Sequence, residues 1–312
     1  MKIVLLGGTG FIGRRFADLC RTTGADVTVV SRHVPPATDL LGGVTYVQGD
    51  CASPELLKQV LRPDHHVVFL AYNSVPKTSF DDPLRDIQEN LPLAIALLGV
   101  LREVRVRRLL YVSSGGTVYG PTDAHMPIAE DHPTFPISPY GVTKLAIEKY
   151  CGMYARLFGV PIVIARPANP YGPGQVPHRG QGFVATAAAK ILQGEPLAIF
   201  GACGTIRDYI YIDDLCAAMQ LLLSADIAPG AIFNIGSGQG RNNLEIIEAI
   251  AVAAQLPRSD VRIEALPPRD FDVGFNVLSS ERLRALGWRA ATPLDKGLAH
   301  TLPWIAEHLH TA

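Results

Sequence analysis

With 312 residues, the chain is long enough for one large α/β domain or two unequal lobes, and either buries an ample core. Its 28 Lys and Arg against 29 Asp and Glu leave a net charge of −1, which excludes a broad cationic face for nucleic acid and leaves any phosphate to a few local cations. The five cysteines, Cys20, Cys51, Cys151, Cys203 and Cys216, are odd in number and scattered without a CxxC or Cys/His cluster, so the expectation is a reducing compartment and no bound metal.

Lys2 to Leu6 is a continuous apolar run suited to a buried parallel strand, followed by Gly7-Gly8-Thr9-Gly10-Phe11-Ile12-Gly13 and a helical segment to about Thr23. The apolar run ends at once in glycines, so it reads as a strand and not a signal peptide. No stretch approaches the length that crosses a membrane, and the expectation is a cytoplasmic protein. Strand, glycine loop and helix form the dinucleotide-binding unit. Gly7 or Gly8 allows the tight turn, Gly10 the close approach of pyrophosphate, and Gly13 the packing of helix on strand, while the helix start at Phe11 and Ile12 faces the phosphates.

The next strand, Asp26 to Val30, ends at the group that reads the adenine ribose. An acidic residue there would bind the 2′-hydroxyl of NAD, but the chain reads Ser31-Arg32-His33. Arg32 suits the 2′-phosphate of NADP, with Ser31 as a donor. Val44 to Val47 leads to Gly49-Asp50-Cys51, placing Asp50 to accept from the adenine amino group. Val67 to Ala71 is a fourth strand, whose end, Leu70-Ala71-Tyr72, runs under the cofactor. Asp86 to Val104 reads as a helix carrying Asn90 as a polar contact. Arg108 to Val112 is a fifth strand and enters Ser113-Ser114-Gly115-Gly116-Thr117-Val118-Tyr119-Gly120. Strands alternating with helices predict a Rossmann-type doubly wound parallel sheet with its ligand at the carboxyl ends of the strands.

Ser138 to Gly159 is the stretch around which the rest is organised. Ser138 suits an N-cap, Pro139 the first helical position and Gly159 a left-handed C-cap, and Tyr140 and Lys144 stand one turn apart on one face. A tyrosine ionises near pH 10, and bringing that to about 7 takes about 4 kcal/mol of differential interaction. The ammonium of Lys144 supplies part of this, and a second positive charge such as an oxidised nicotinamide ring completes it.

Pro161 to Arg166 is a sixth strand. The run from Pro167 to Gly174 then breaks the alternation, and Gly and Pro around one helix, Phe183 to Gln193, suggest a smaller lobe over the strand ends. Arg207 to Asp214 re-enters the main lobe, and Ala231 to Ile235 adds a strand. The tail, with Arg269 and a helix near Ser279 to Leu286, returns to the small lobe. The expected division is residues 1–168 plus about 208–255 for the dinucleotide and 169–207 plus about 256–312 for the substrate.

Taken together, GGTGFIG at 7–13, Gly49-Asp50, SSGGTVYG at 113–120, PYGVTK at 139–144, RPANPYG at 166–172 and RDYIYIDD at 207–214 resemble the extended short-chain dehydrogenase/reductases, in the nucleotide-sugar epimerase/dehydratase branch. The resemblance implies chemistry at a sugar C4 carbon, with Tyr140 taking the 4-hydroxyl proton and Lys144 holding the nicotinamide ribose. It also implies a nucleotide diphosphate held by Asn169, Arg207 and Arg269, with His178, Arg179 and Lys190 as nearby cations, and a homodimer through the helices Asp86 to Val104 and Ser138 to Phe158.

The pattern departs in two places. Gly115 stands where the family carries a catalytic Ser or Thr, so the proton shuttle falls to Ser114, Thr117 or water. The missing acid after the second strand leans towards NADP. The reading is a UDP-hexose type 4-epimerase using NAD or NADP, with an NADPH-dependent 4-keto-sugar reductase as the alternative and a non-catalytic cofactor-sensing regulator as the alternative of another class. Gly115-Gly116 offers no acid–base pair for 4,6-dehydration.

Overall fold

The computed structural model describes residues 1–122, 126–177, 181–268 and 273–309. The regular apolar runs form β1 (Lys2–Leu6), β2 (Asp26–Ser31), β3 (Val44–Gln48), β4 (His65–Phe69), β5 (Arg108–Val112) and β6 (Ile162–Pro167). Between them lie α1 (Phe11–Thr22), α2 (Pro54–Val60), α3 (Pro76–Asp81), α4 (Pro83–Val104) and α5 (Pro139–Phe158). Downstream come β7 (Asn169–Tyr171), α6 (Phe183–Gln193), β8 (Leu197–Phe200), β9 (Ile206–Tyr211), α7 (Ile212–Ser224) and β10 (Ile232–Ile235).

The main sheet has the order β10-β6-β5-β4-β1-β2-β3 and is parallel. Strands β1, β4, β5 and β6 are buried on both faces, as continuous apolar runs require, while the edge strand β3 is not, and helices cover the sheet in the doubly wound manner. Strand order reverses beside β1, which puts the crevice for a ligand at the carboxyl ends of β1, β2 and β4. Two boundaries differ from the sequence reading. Strand β4 begins two residues earlier and ends at Phe69, so Leu70 to Tyr72 is loop. Helix α4 starts at Pro83 because the Asp82 side chain accepts from the Arg85 backbone N–H and Pro83 suits the first turn.

Two compact units divide the chain. The first comprises 1–114, 139–166 and 216–233, and the second 115–138, 167–215 and 234–312. In the first unit α4 and α5 pack together, and Leu93, Leu97, Leu101, Ile147 and Cys151 share a core with β4 and β5. The second unit adds β11 (Gly240–Arg241), α8 (Asn243–Ala253), β12 (Ile263–Leu266), β13 (Phe275–Asn276), α9 (Glu281–Ala285) and α10 (Leu294–His308). There β9 lies between β11 and β13 and also pairs with β7, while β8 pairs with β12.

Residues 115–138, 167–168, 208–215 and 234–255, which the sequence reading groups with the dinucleotide lobe, belong to the second unit by contact, and the run Arg207 to Asp214 does not re-enter the main sheet, since β9 pairs with β7, β11 and β13. The Asn276 side chain donates to the Gly115 carbonyl, Ile128 bridges to Leu278, and Ser280 Oγ is bonded to the Gly236 backbone. These bonds join segments far apart in the chain, which no local pattern signals.

Candidate active site

The glycine loop is shaped as its spacing predicts. Gly7 takes φ +81°, and a Cβ there would stand 2.6 Å from the Ala71 backbone, so the turn admits only glycine. A Cβ on Gly13 would stand 2.6 Å from the Gly8 backbone, which makes Gly13 the close-packing residue. A Cβ on Gly10, in contrast, would meet nothing within 4 Å. Gly10 is also the N-cap of α1 and no side chain caps that end, so first-turn N–H groups border open space at the positive end of a helix. That cradle fits a dinucleotide pyrophosphate. Phe11 and Ile12, half-buried, open the helix beside it.

Around this loop, the Ser31 and Thr9 hydroxyls lie 3.1 Å apart. Arg32 donates to the Asn73 side chain at 2.6 Å and its carbonyl accepts from Gln48. Asp50 is exposed and one of its oxygens caps the Ala52 N–H. The Cys51 thiol, in contrast, points into the core, 3.8 Å from the Val30 carbonyl oxygen, and burial pushes it up to about 11, leaving only its backbone for a ligand. Leu70, Ala71 and Tyr72 are half-buried. Asn90 is buried, and both ends of its amide are used by the protein: it accepts from the Asn73 N–H and donates to the Asp86 carbonyl, each at 2.8 Å. It therefore anchors the loop after β4.

Tyr140 and Lys144 do share one face of α5. The Tyr140 backbone N–H donates to Ser79 Oγ of α3, fixing the helix start. Lys144 is 5% exposed, and its Nζ donates to the Val112 carbonyl at 3.0 Å. The same Nζ sits 4.0 Å from the centre of the Tyr72 ring and 5.6 Å from that of Tyr140, and the two rings meet edge to face at 4.9 Å. Burial lowers the Lys144 ammonium to about 7 against the carboxylates of Glu148 and Asp86, which favour its charge. Burial, with a further contribution from Asp86, pushes the Tyr140 phenol upwards. Within the protein, desolvation outweighs one ammonium that is itself desolvated, so the lowering expected from Lys144 together with a second positive charge is not supplied by Lys144 by itself.

One turn beyond Lys144, Glu148 continues the row and forms a buried fork with Arg166, from Nη2 to Oε2 at 2.6 Å, both side chains being 2% exposed. Arg166 Nε donates to both Glu148 oxygens at 3.0 and 3.2 Å, and Ser113 Oγ donates to Oε1. These bonds pin α5 to the ends of β5 and β6. The sequence reading misses this group, although Tyr140, Lys144 and Glu148 stand at i, i+4 and i+8, and that spacing could have shown it.

Ser114, half-buried, ends the first unit. In the second unit, Gly115 N–H donates to the Pro167 carbonyl, and the Thr117 hydroxyl oxygen is buried with no partner among the described residues. Asn169 and Arg207 stand on the neighbouring strands β7 and β9, where Asn169 donates to the Asp208 carbonyl at 3.0 Å and Arg207 to the Ile206 carbonyl at 2.9 Å. Asp208 is buried and accepts from the N–H groups of Ser237, Gly238 and Leu278, which locks β9. Lys190 is tied to the Pro196 carbonyl. Arg269, His178 and Arg179 lie outside the described residues. No group of three metal-ligating side chains occurs among the described residues.

Residues 3–236 match the NAD dependent epimerase/dehydratase family. The chain belongs to that family. It is accordingly an enzyme of the nicotinamide-dependent class, and the cradle at Gly7 to Gly13 is where its members' fold receives the dinucleotide. A UDP-glucose 4-epimerase of Mycolicibacterium smegmatis is 32% identical over 97% of both chains. Among solved structures, Thermus thermophilus UDP-glucose 4-epimerase in complex with NAD aligns with TM-score 0.89 and 30% identity, over 98% of this chain and 99% of that one. Thermotoga maritima UDP-glucose 4-epimerase with UDP-glucose aligns with TM-score 0.91 and 30% identity, over 99% and 100%.

Proposed function

We propose that the protein is a UDP-hexose 4-epimerase that acts by transient oxidation at C4. The observation that carries this reading is the buried row on α5, in which Tyr140 and Lys144 converge on Tyr72 at the carboxyl end of the sheet, in a chain alike over its whole length to UDP-glucose 4-epimerases. Residues 1–114 with 139–166 would hold the cofactor, through the backbone at Gly7 and from Gly10 to Gly13, with Ser31, Arg32 and Asp50 on the adenosine side. When bound, the nicotinamide supplies reversible acceptance of hydride. Tyr140 removes the proton of the sugar 4-hydroxyl and returns it, and Lys144 holds the ribose and favours the phenolate. Ser114 or Thr117 relays that proton in the place where Gly115 carries no hydroxyl. Asn169, Arg207 and Arg269 bind the diphosphate, arginine forks matching phosphate oxygens.

The test is conversion of UDP-galactose to UDP-glucose, followed by NMR with no added reductant. A protein that gives no conversion but oxidises NADPH with a nucleotide 4-keto sugar is the reductase instead. One observation favours that second reading: Ser31 and Arg32 stand where NAD-binding members carry an acid, and Arg32 already reaches across to Asn73.

Two copies would pair through α4 and α5, where Leu84, Ile87, Val142, Met153 and Leu157 are exposed on the outer face. A monomer in analytical ultracentrifugation at micromolar concentration contradicts this. A cytoplasmic location accords with five scattered cysteines, four of them buried, and with the lack of any membrane-crossing helix among the described residues.

A further inference from the structure

Asp86 takes no part in the proton transfer assigned above, yet it is 1% exposed and gathers three hydroxyls. It stands in the first turn of α4, at the positive end of that helix. Thr143 Oγ1 donates to Oδ2 at 2.5 Å, Ser74 Oγ donates to Oδ1, and Tyr72 Oη lies 3.4 and 3.5 Å from the two oxygens. Two of the three donors border the catalytic pair. Thr143 directly precedes Lys144, and the Tyr72 ring carries Lys144 Nζ on its face while its edge contact holds Tyr140.

We propose that Asp86 is a positioning residue for the reaction: through Thr143 and Tyr72 it seats Lys144 and Tyr140, and its negative charge opposes the phenolate that proton transfer requires. This rests on the role given to Tyr140 under the proposed function. The groups facing Tyr140 from each packed element are few. On α5 it is Lys144, with Glu148 a turn further and paired to Arg166. On α4 it is Asp86, after β4 it is Tyr72, and on β5 it is Tyr111. Helix α3 offers the Ser79 hydroxyl, and its charged residues Lys77 and Asp81 are exposed. Asp86 is thus the buried carboxylate left to set the pair, and a site that holds its base neutral until a cation lies beside it resists ionising in the wrong state.

The test is Asp86→Asn, with the nicotinamide bound and no sugar present. The tyrosinate band is titrated by ultraviolet difference, each protein being subtracted from its Tyr140→Phe counterpart so that the other nine of the ten tyrosines cancel. Removing the charge moves the Tyr140 ionisation to lower pH by about one unit, and the acid limb of kcat/KM moves with it. Asp86→Glu, which keeps the charge, restores a titration close to that of the parent. A titration that stays put or moves upward while kcat falls shows a merely structural role and overturns the proposal. Should Asp86→Asn not fold, Asp86→Ser is also uncharged, still accepts a hydrogen bond and gives the same readout. The titration involves no sugar, so failure of the epimerase reading would appear separately, as a parent protein inactive on UDP-galactose whose titration shift persists.

Discussion

Two groups of side chains, one in each unit, are partnered differently. In the first, each member of the row on α5 has a protein partner: Tyr140 meets Tyr72, Lys144 meets the Val112 carbonyl, and Glu148 is gripped by Arg166 and Ser113. In the second, Thr117 Oγ1, Gln175 Oε1 and Asn276 Oδ1 are buried with no partner among the described residues. Buried polar groups are costly unless bonded, so the row on α5 is set by the chain itself, whereas these three atoms, like Nδ1 of His65 and of His66 in the first unit, have no bond among the described residues to offset their burial. Proton transfer needs a fixed base, and the bonded row on α5 is placed to supply one.

The strongest way to break the first arrangement is to remove its base. Tyr140→Phe lowers kcat by about 10³, within the span typical of general acid–base groups, while leaving cofactor affinity close to the parent value, as stopped-flow and fluorescence titration would show. Next comes the clamp. Glu148→Gln strands the buried Arg166 and costs about 3–5 kcal/mol in chemical denaturation, whereas the pair Glu148→Leu with Arg166→Met recovers most of that loss. If single and double variants were equally destabilised, packing and not the ion pair would be what fixes α5.

Much of this was legible in the sequence where the chemistry is local. Gly7, Gly10 and Gly13 sit between a strand and a helix, and Tyr140 and Lys144 are one turn apart, so spacing alone placed them. Asp86 and Arg166 were not legible as site residues, because their partners Thr143 and Glu148 lie far along the chain and meet only when α4 and β6 close on α5. That the Cys51 thiol points into the core was not legible for a related reason: adjacency to Asp50 says nothing about which face of the chain is buried. The phenol of Tyr140 shows the same limit, since the desolvation that topology imposes on it cannot be read from its spacing to Lys144.

In the second unit the effects should be smaller. Thr117→Val removes a hydroxyl that has no partner among the described residues, so stability is expected to stay level or rise by under about 1 kcal/mol. A loss of 2 kcal/mol or more would show that the hydroxyl is satisfied in solution, and would erase the contrast between the two groups. The smallest effect concerns the first unit, at the amino end of the central strand β4, where burial holds the His66 imidazole below the ordinary histidine range. Between that lowered value and about 6.5 the unfolded chain binds more protons than the folded one, so stability falls as pH drops through this window and levels below it. His66→Gln should flatten that slope in thermal melts taken between about pH 5 and 7.

The most direct test of the central claim follows the hydrogen at C4. The protein, carrying only its own nicotinamide, is given UDP-galactose with deuterium at C4 together with an excess of unlabelled free NADPH. Internal oxidation and return, with Tyr140 as the base, predicts UDP-glucose that keeps its deuterium at C4 and free NADPH that is not consumed. Product that has lost the label, or no product at all while NADPH is consumed by a 4-keto sugar, would contradict the account.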